Sequence, residues 1–377
     1  MEVLNFMNTH DDWEDILTQP PYCIKVNRDG AYILLKYNQL SSDFTLPIVR
    51  ECRGSIFYLN DNGKYECVAR AFDKFGNWGE SYVKDIDWDS AVVEEKIDGS
   101  LIKLWYHNNE WHISTNGTID AFKAQIGDTE LTFGDLVNEA IGYSDIPYFL
   151  ETLDTNETYM FELVSPLSKI TICYPQTKLY YLGQRNMKTF IESKKYTEDM
   201  AGYKISNPVL YPLWTLEECL KYVQTMSKDE EGFVIRDKNF NRMKLKSPEY
   251  LLASHMRNNG IITVKRVIEM IKHDMLDDFI AYCPEYRKFA EDVVEDIICT
   301  YIQLEIDWLL ASVFAHLPRK EFAEHIKSRE NQEFLWIKYD HPKTVAQEYL
   351  MNKPTNKIKE MIEQYKKRRG DNNELSQ

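Results

Sequence analysis

Short apolar runs broken by Gly, Asn and Asp turns fill the chain from about residue 20 to about residue 250, and a three- and four-residue periodicity replaces them after Pro248. In the first region Ala31–Leu35, Gly54–Tyr58, Tyr159–Val164, Lys178–Leu182 and Phe233–Ile235 read as strands, being β-branched or aromatic and bounded by turn residues. Asp237-Lys238-Asn239 turns the last of these into Met243-Lys244-Leu245-Lys246. Ala91–Glu94 and Leu101–Tyr106 read as a hairpin closed by Asp98-Gly99, with Lys96 at its end. Helices are expected over Leu131–Ile141 and from Thr215, which precedes Leu216-Glu217-Glu218 as an N-cap would. The pattern predicts an α+β fold with mainly antiparallel sheets.

Beyond Pro248 the texture is helical. Phe289, Val293, Ile297, Tyr301, Leu304 and Trp308 recur at helical spacing with charges between them. Pro318 opens a further helix, and 344–351 and 356–365 form more. The expected division is 1–250 and 251–377, with the boundary inside 245–262 and a frayed tail after Gly370.

Composition narrows the function classes. A chain of 377 residues can bury two cores, and 44% hydrophobic content with only 15 Gly and 13 Pro describes folded domains without low-complexity linkers. No apolar run reaches membrane-spanning length, and Met1 to His10 lacks the pattern of a signal peptide, so a cytoplasmic protein is expected. The seven Cys occur singly, without a C-x-x-C pair, and the eight His are scattered, which argues against zinc and disulfides. A formal net charge of -15 opposes general polyanion binding, so any nucleic-acid site needs Lys and Arg clustered locally.

Candidate chemistry centres on Glu95-Lys96-Ile97-Asp98-Gly99-Ser100. A lysine amine held beside glycine backbone can serve as a covalent nucleophile, and K-x-D-G is the nucleotidyl-attachment signature of ligases and capping enzymes. Alone, the four residues also describe an ordinary turn with a solvated lysine. Five further segments accompany them: Arg50-Glu51-Cys52-Arg53-Gly54, Lys74-Phe75-Gly76-Asn77, Phe161-Glu162-Leu163-Val164, Glu231-Gly232-Phe233-Val234 and Lys244-Leu245-Lys246. Each has a bland reading: Glu162 as a surface residue of a half-buried strand, Lys244 and Lys246 as an edge-protecting face, Arg53 as an ion-pair partner, Lys74 as an exposed lysine. Their order and spacing together are hard to obtain by accident.

In that order the chain resembles the RNA ligase 1 family of T-even bacteriophages, over roughly residues 30 to 250. The resemblance implies an N-terminal nucleotidyltransferase domain, an all-helical C-terminal domain, and ATP-dependent joining of RNA 3′-OH and 5′-phosphate ends through lysyl-AMP. It implies Lys96 as nucleophile; Lys74, Lys244 and Lys246 on the triphosphate; Arg53 on phosphate or ribose; and Glu162 on a ribose hydroxyl. Glu231 would hold Mg²⁺ partly through water, with Mn²⁺ as a substitute, and Tyr180 is the guess for adenine stacking. Cations around Lys96 would favour its neutral, nucleophilic form. The substrate class includes cleaved tRNA, gripped by the helical third through Lys366, Lys367, Arg368 and Arg369, by a monomer working in the host cytoplasm if phage-encoded. Two positions depart from the family: Gly76, where a phenylalanine is expected, and Asn116, where a cation is expected. The alternatives are a DNA-ligase or capping nucleotidyltransferase, which would carry a β-barrel after the catalytic domain, and a non-catalytic RNA-binding protein.

Overall fold

The computed structural model describes residues 1–39, 41–127, 129–251, 262–272, 275–282 and 284–369. Two compact units divide the chain, Met1–Ser254 and His255–Gln377. Residues 252–261, where part of the expected boundary lies, and the tail 370–377 are outside the described residues.

The first unit contains three antiparallel sheets. One has the order β1 (Lys25–Asp29), β2 (Tyr32–Lys36), β3 (Arg53–Leu59), β4 (Tyr65–Ala69). A second runs β10 (Glu192–Ser193), β9 (Lys178–Asn186), β8 (Glu157–Val164), β6 (Ser100–His107), β7 (Glu110–Thr115). The third runs β11 (Leu210–Tyr211), β5 (Val92–Glu95), β12 (Gly232–Arg236), β13 (Arg242–Lys246). The middle sheet buries Ile102, Leu104, Phe161, Leu163 and Tyr181 beneath helix Phe133–Ile141. Thr132 caps that helix by a reciprocal capping box with Asp135, and Thr215 caps Leu216–Val223 with Glu218 in the same way. The short strands β10 and β11, two residues each, have no alternating pattern to betray them.

One expectation needs correction. β5 and β6 do not form a hairpin. β5 pairs with β12, Phe233 opposite Glu95, whereas β6 pairs with β8, Leu101 opposite Glu162. The Lys96–Gly99 segment therefore crosses between two sheets. Its course is fixed by Asp98, a buried carboxylate that accepts from the Thr171 and Ile172 amides at 2.8 and 2.6 Å and from the Tyr250 hydroxyl at 3.0 Å. Gly99 lets the chain close on β8, since a Cβ there would lie 2.5 Å from the Leu163 carbonyl oxygen. The glycine admits a neighbouring strand rather than a ligand.

In the second unit every regular element among the described residues is helical. Helix Arg287–Ser312 buries Val293, Ile297 and Leu304, Pro318 caps Arg319–Ile326, and Ala346–Met351 and Thr355–Arg369 follow. Helix Gln332–Asp340 is not apparent from spacing, because its buried set is Phe334, Leu335 and Lys338, with a lysine in the stripe. Among the described residues no helix is long and apolar enough to cross a membrane.

Candidate active site

Main-chain hydrogen bonds bring the sequence motifs together. The Lys96 amide donates to the Gly232 carbonyl at 2.9 Å, and the Ser247 amide to the Glu231 carbonyl at 2.8 Å. Lys244 donates to Gly76 and accepts from Trp78, both at 3.0 Å, so the Lys74–Asn77 segment lies along β13. The Lys74 amide in turn donates to the Arg50 carbonyl at 2.9 Å. Gly232 is required where it stands: its φ is +136°, and a Cβ would meet the Leu245 carbonyl oxygen at 2.1 Å.

At the centre, one carboxylate oxygen serves two ammonium groups. Glu231 Oε1 lies 2.9 Å from Lys96 Nζ and 2.8 Å from Lys246 Nζ. Burial pushes the Glu231 carboxyl toward protonation, but Lys246 and then Lys96 outweigh it and hold it below the ordinary carboxylate range. Lys96 keeps 20% of its side-chain surface exposed, so a substrate can reach its nitrogen; Lys246 is buried at 6%. Glu231 Oε2 is buried and has no hydrogen-bond partner among the described residues. An anionic oxygen left without a donor fits a hydrated divalent cation, of the kind that takes one protein carboxylate and completes its shell with water and substrate phosphate. No three His, Cys, Asp or Glu side chains gather into a metal-holding cluster among the described residues.

Lys96 opens into a narrow pocket of about 80 Å³, whose walls include Arg53, Phe72, Glu162, Leu182, Val234 and Arg242. Ligand sites usually offer roughly 300 Å³ or more, so side chains must part to admit a nucleotide. The Arg53 guanidinium sits 4.5 Å from the centre of the Phe72 ring and that of Arg242 4.9 Å from it. Arg53 Nη1 is buried and has no hydrogen-bond partner among the described residues, a donor ready for an anion. Burial pushes the Glu162 carboxyl up to about 7 against the pull of Lys96 and Arg53, so at neutral pH it can both donate and accept.

Arg53, Lys96 and Glu162 thus share one pocket, with Glu231 and Lys246 joined to them through Lys96. Lys244 lies two residues from Lys246 on the same face of β13, opposite Val234 of the pocket wall. Lys74 is elsewhere: its ammonium lies over the Phe44 ring at 4.6 Å and the Tyr37 ring at 5.3 Å, on the wall of a separate, wider cleft. Tyr180 does not line the pocket; it stands opposite Glu162 in the β8–β9 register with Lys178 over its ring, and Leu182, Pro208 and Val234 supply the apolar wall instead.

Two basic residues escape a reading of the sequence. Arg242 extends the Lys244, Lys246 row by one step, and a longer scan of alternating cations along β13 finds it. Lys103 is fully buried within β6; its ammonium donates to the Gly54 and Thr115 carbonyls at 2.7 and 2.8 Å. Burial, followed by Arg53 and Lys36, pushes it down to about 7. It lies beside Asn116, for both approach the same point above Gly54, at 3.0 Å and, from the asparagine carboxamide oxygen, 2.9 Å. A lysine therefore does stand next to position 116, supplied from the adjacent strand. At Gly76 a side chain would collide with Glu80 at 2.2 Å and Tyr82 at 2.8 Å, which occupy the space a phenylalanine would need.

The C-terminal basic run lies in the second unit and is largely paired off. Lys366 bonds Asp296 at 2.6 Å, and Arg368 bonds Asp307 at 3.1 Å and also Glu330. Lys367 and Arg369 are exposed.

The RNA ligase family profile matches residues 51–250, more than half of the chain, and the chain belongs to that family. It is 31% identical over 290 residues to a protein of Autographa californica nuclear polyhedrosis virus named as a bifunctional polynucleotide kinase/RNA ligase. That alignment covers 72% of this chain and 40% of the viral protein, so the chain spans well under half of that relative. An RNA ligase of Rhodothermus phage RM378 is 25% identical over 364 residues, covering 81% of this chain and 80% of the phage protein. Among solved structures, an archaeal ATP-dependent RNA ligase aligns with a TM-score of 0.45 and 13% identity, over 76% of this chain and 75% of its own.

Proposed function

We propose that the protein is an ATP-dependent RNA ligase that joins RNA 3′-OH and 5′-phosphate ends. The observation that supports this most is Lys96, the motif nucleophile, at the mouth of a pocket with a phosphate-seeking Arg53 and with Glu231 and Lys246 at its side. In the first step the free Lys96 amine attacks the α-phosphorus of ATP. The P–N bond forms, the bond to pyrophosphate breaks, and the amine proton leaves to water. A 5′-phosphate oxygen of RNA then displaces Lys96 to give the adenylylated end, and a 3′-hydroxyl displaces AMP as the phosphodiester forms.

This chain's residues have definite work in the first step. Glu231 must release Lys96, since an ammonium has no lone pair to attack with; Lys246 can keep the carboxylate neutralised when it does so. Lys244, Lys246 and Arg53 stabilise charge that grows on phosphate oxygens, in a reaction that depends on positioning and electrostatics more than covalent help. Glu162, on the same pocket wall, would bond a ribose hydroxyl. Glu231 Oε2 is where Mg²⁺ would be held, and the ion would neutralise phosphate charge. The reading extends to a monomeric, cytoplasmic enzyme of RNA repair, with cleaved tRNA in its substrate class.

Incubation with Mg²⁺ and α-³²P-ATP, beside Lys96→Ala, tests the proposal. Label that survives denaturing electrophoresis on the parent but not the variant is expected. Folded parent protein that takes no label with either Mg²⁺ or Mn²⁺ would remove the proposal.

A further inference from the structure

We propose that the wide cleft beside the Lys96 pocket holds the single-stranded stretch of RNA behind one of the ends to be joined, an assignment that rests on the ligase reading above. The two spaces share a wall, because Phe75 and Arg242 line both. The cleft encloses about 660 Å³, inside the roughly 300–1,000 Å³ range of ligand sites. Lys96 and Glu162 line the narrow pocket and not this cleft, so the α-phosphorus does not react here.

The local charge is opposite to that of the whole chain. Arg50, Lys74, Lys84, Arg185, Lys238 and Arg242 face Glu2, Glu51, Asp73 and Glu192, in a protein whose net charge is -15. Several of these cations are engaged. Arg185 and Arg242 both bond Glu192, and Arg50 donates to the Phe44 and Thr45 carbonyls. Lys84 and Lys238 are different: both are exposed, Lys84 makes no ion pair among the described residues, and Lys238 has one, to Asp87 at 2.9 Å. These two can follow a phosphate backbone, the kind of interaction that positions RNA without reading its sequence.

Phe190 and Phe240 line the cleft, and each is held with φ +58°, in the left-handed region that aromatic residues seldom occupy. Guanidinium groups lie against both rings, Arg70 against Phe190 at 5.9 Å, and Arg236 and Arg242 against Phe240 at 4.8 and 5.4 Å. Rings and guanidinium planes beside phosphate-binding lysines are what unstacked bases require, and a duplex presents no free base faces to them.

The test uses the full chain and a fluorescent, 5′-phosphorylated single-stranded RNA of about ten nucleotides, followed by anisotropy over a range of salt. Lys84→Glu with Lys238→Glu is expected to weaken RNA binding by about tenfold or more and to lower the salt slope by about 0.7 for each phosphate the protein no longer neutralises. The rate of self-adenylylation and its dependence on ATP should stay as in the parent. Phe240→Asn, which tolerates the left-handed backbone, should weaken binding by about fivefold or more because a base loses its stacking platform, with the salt slope kept. Unchanged RNA affinity in the double variant overturns the assignment. So does a raised KM for ATP with RNA affinity intact, which would make the cleft a seat for the triphosphate tail. A parent that takes no label from ATP instead refutes the ligase reading itself, so the two failures are distinct.

Discussion

The chain carries two conspicuous rows of positive charge, and they are used in opposite ways. Arg242, Lys244 and Lys246 lie along one face of β13, and the last of them, buried at 6% exposure, shares the Glu231 oxygen with Lys96. Lys366 to Arg369 form a denser cluster in sequence, yet Lys366 and Arg368 answer to Asp296 and Asp307 on helix Arg287–Ser312 and to Glu330 in a connecting turn. The first row also has acids, Glu192 for Arg242 and Glu231 for Lys246, but it borders the pocket in which Lys96 shares Glu231. The second has an acid waiting for its cations and serves the helical bundle. Positive charge in a sequence indicates an anion site only when the fold sets it beside a space that an anion can enter.

The contrast can be broken most sharply by removing one cation from each row. Lys246→Met should lower the rate of self-adenylylation by about 10²–10³-fold, the size expected when a fixed charge at a reacting phosphate is removed. Lys366→Met should leave that rate unchanged. Single-turnover labelling with ATP measures both, and equal reductions would erase the distinction.

A second test sharpens what burial does at the pocket. The Glu162 carboxyl is raised from 4.5 to about 7 in the folded protein. Below 4.5 it is protonated in both states; between 4.5 and 7 the unfolded chain gives up its proton first, so this group's contribution to stability falls as pH rises and the decline is complete above 7. Glu162→Gln should therefore raise stability by about 1–3 kcal/mol at pH 8. The gain should shrink toward pH 5, as read from denaturant midpoints. A gain independent of pH would locate the effect in packing.

The smallest effect belongs to the helical row. Neutralising Arg368 and Asp307 singly and together should reveal a coupling of about 0.5–1 kcal/mol, typical of a partly exposed pair. A coupling near zero would mean that the run is held by the helix rather than by its acids.

Much of this is legible in the sequence. The helix expected over Leu131–Ile141 and the start at Thr215 are visible because helix capping is local chemistry, confined to four residues. The motif residues Lys96, Glu231 and Lys246 are legible as a set, and the structure brings their side chains together. Strand partners are not legible: Asp98-Gly99 looks like a hairpin turn, and only hydrogen bonds from Thr171, Ile172 and Tyr250 send the chain to another sheet. Lys103 is hidden for a similar reason. In Leu101–Tyr106 a lone lysine reads as the solvent side of a strand, but here β3 and the end of β7 offer it carbonyls and exclude water. The pairing of Lys366 and Arg368 likewise depends on residues distant in sequence, 61 positions away in the case of Arg368 and Asp307.

The Asp98–Tyr250 hydrogen bond also has a consequence for how the protein is made. Its partners are 152 residues apart, so the loop that presents Lys96 lacks its last anchor until almost the whole first unit has left the ribosome. Interactions of such long sequence separation close late and slowly. A nascent chain interrupted before Tyr250 would hold the strands around Lys96 but not that lysine's final setting, so synthesis itself sets the order in which the pocket is completed.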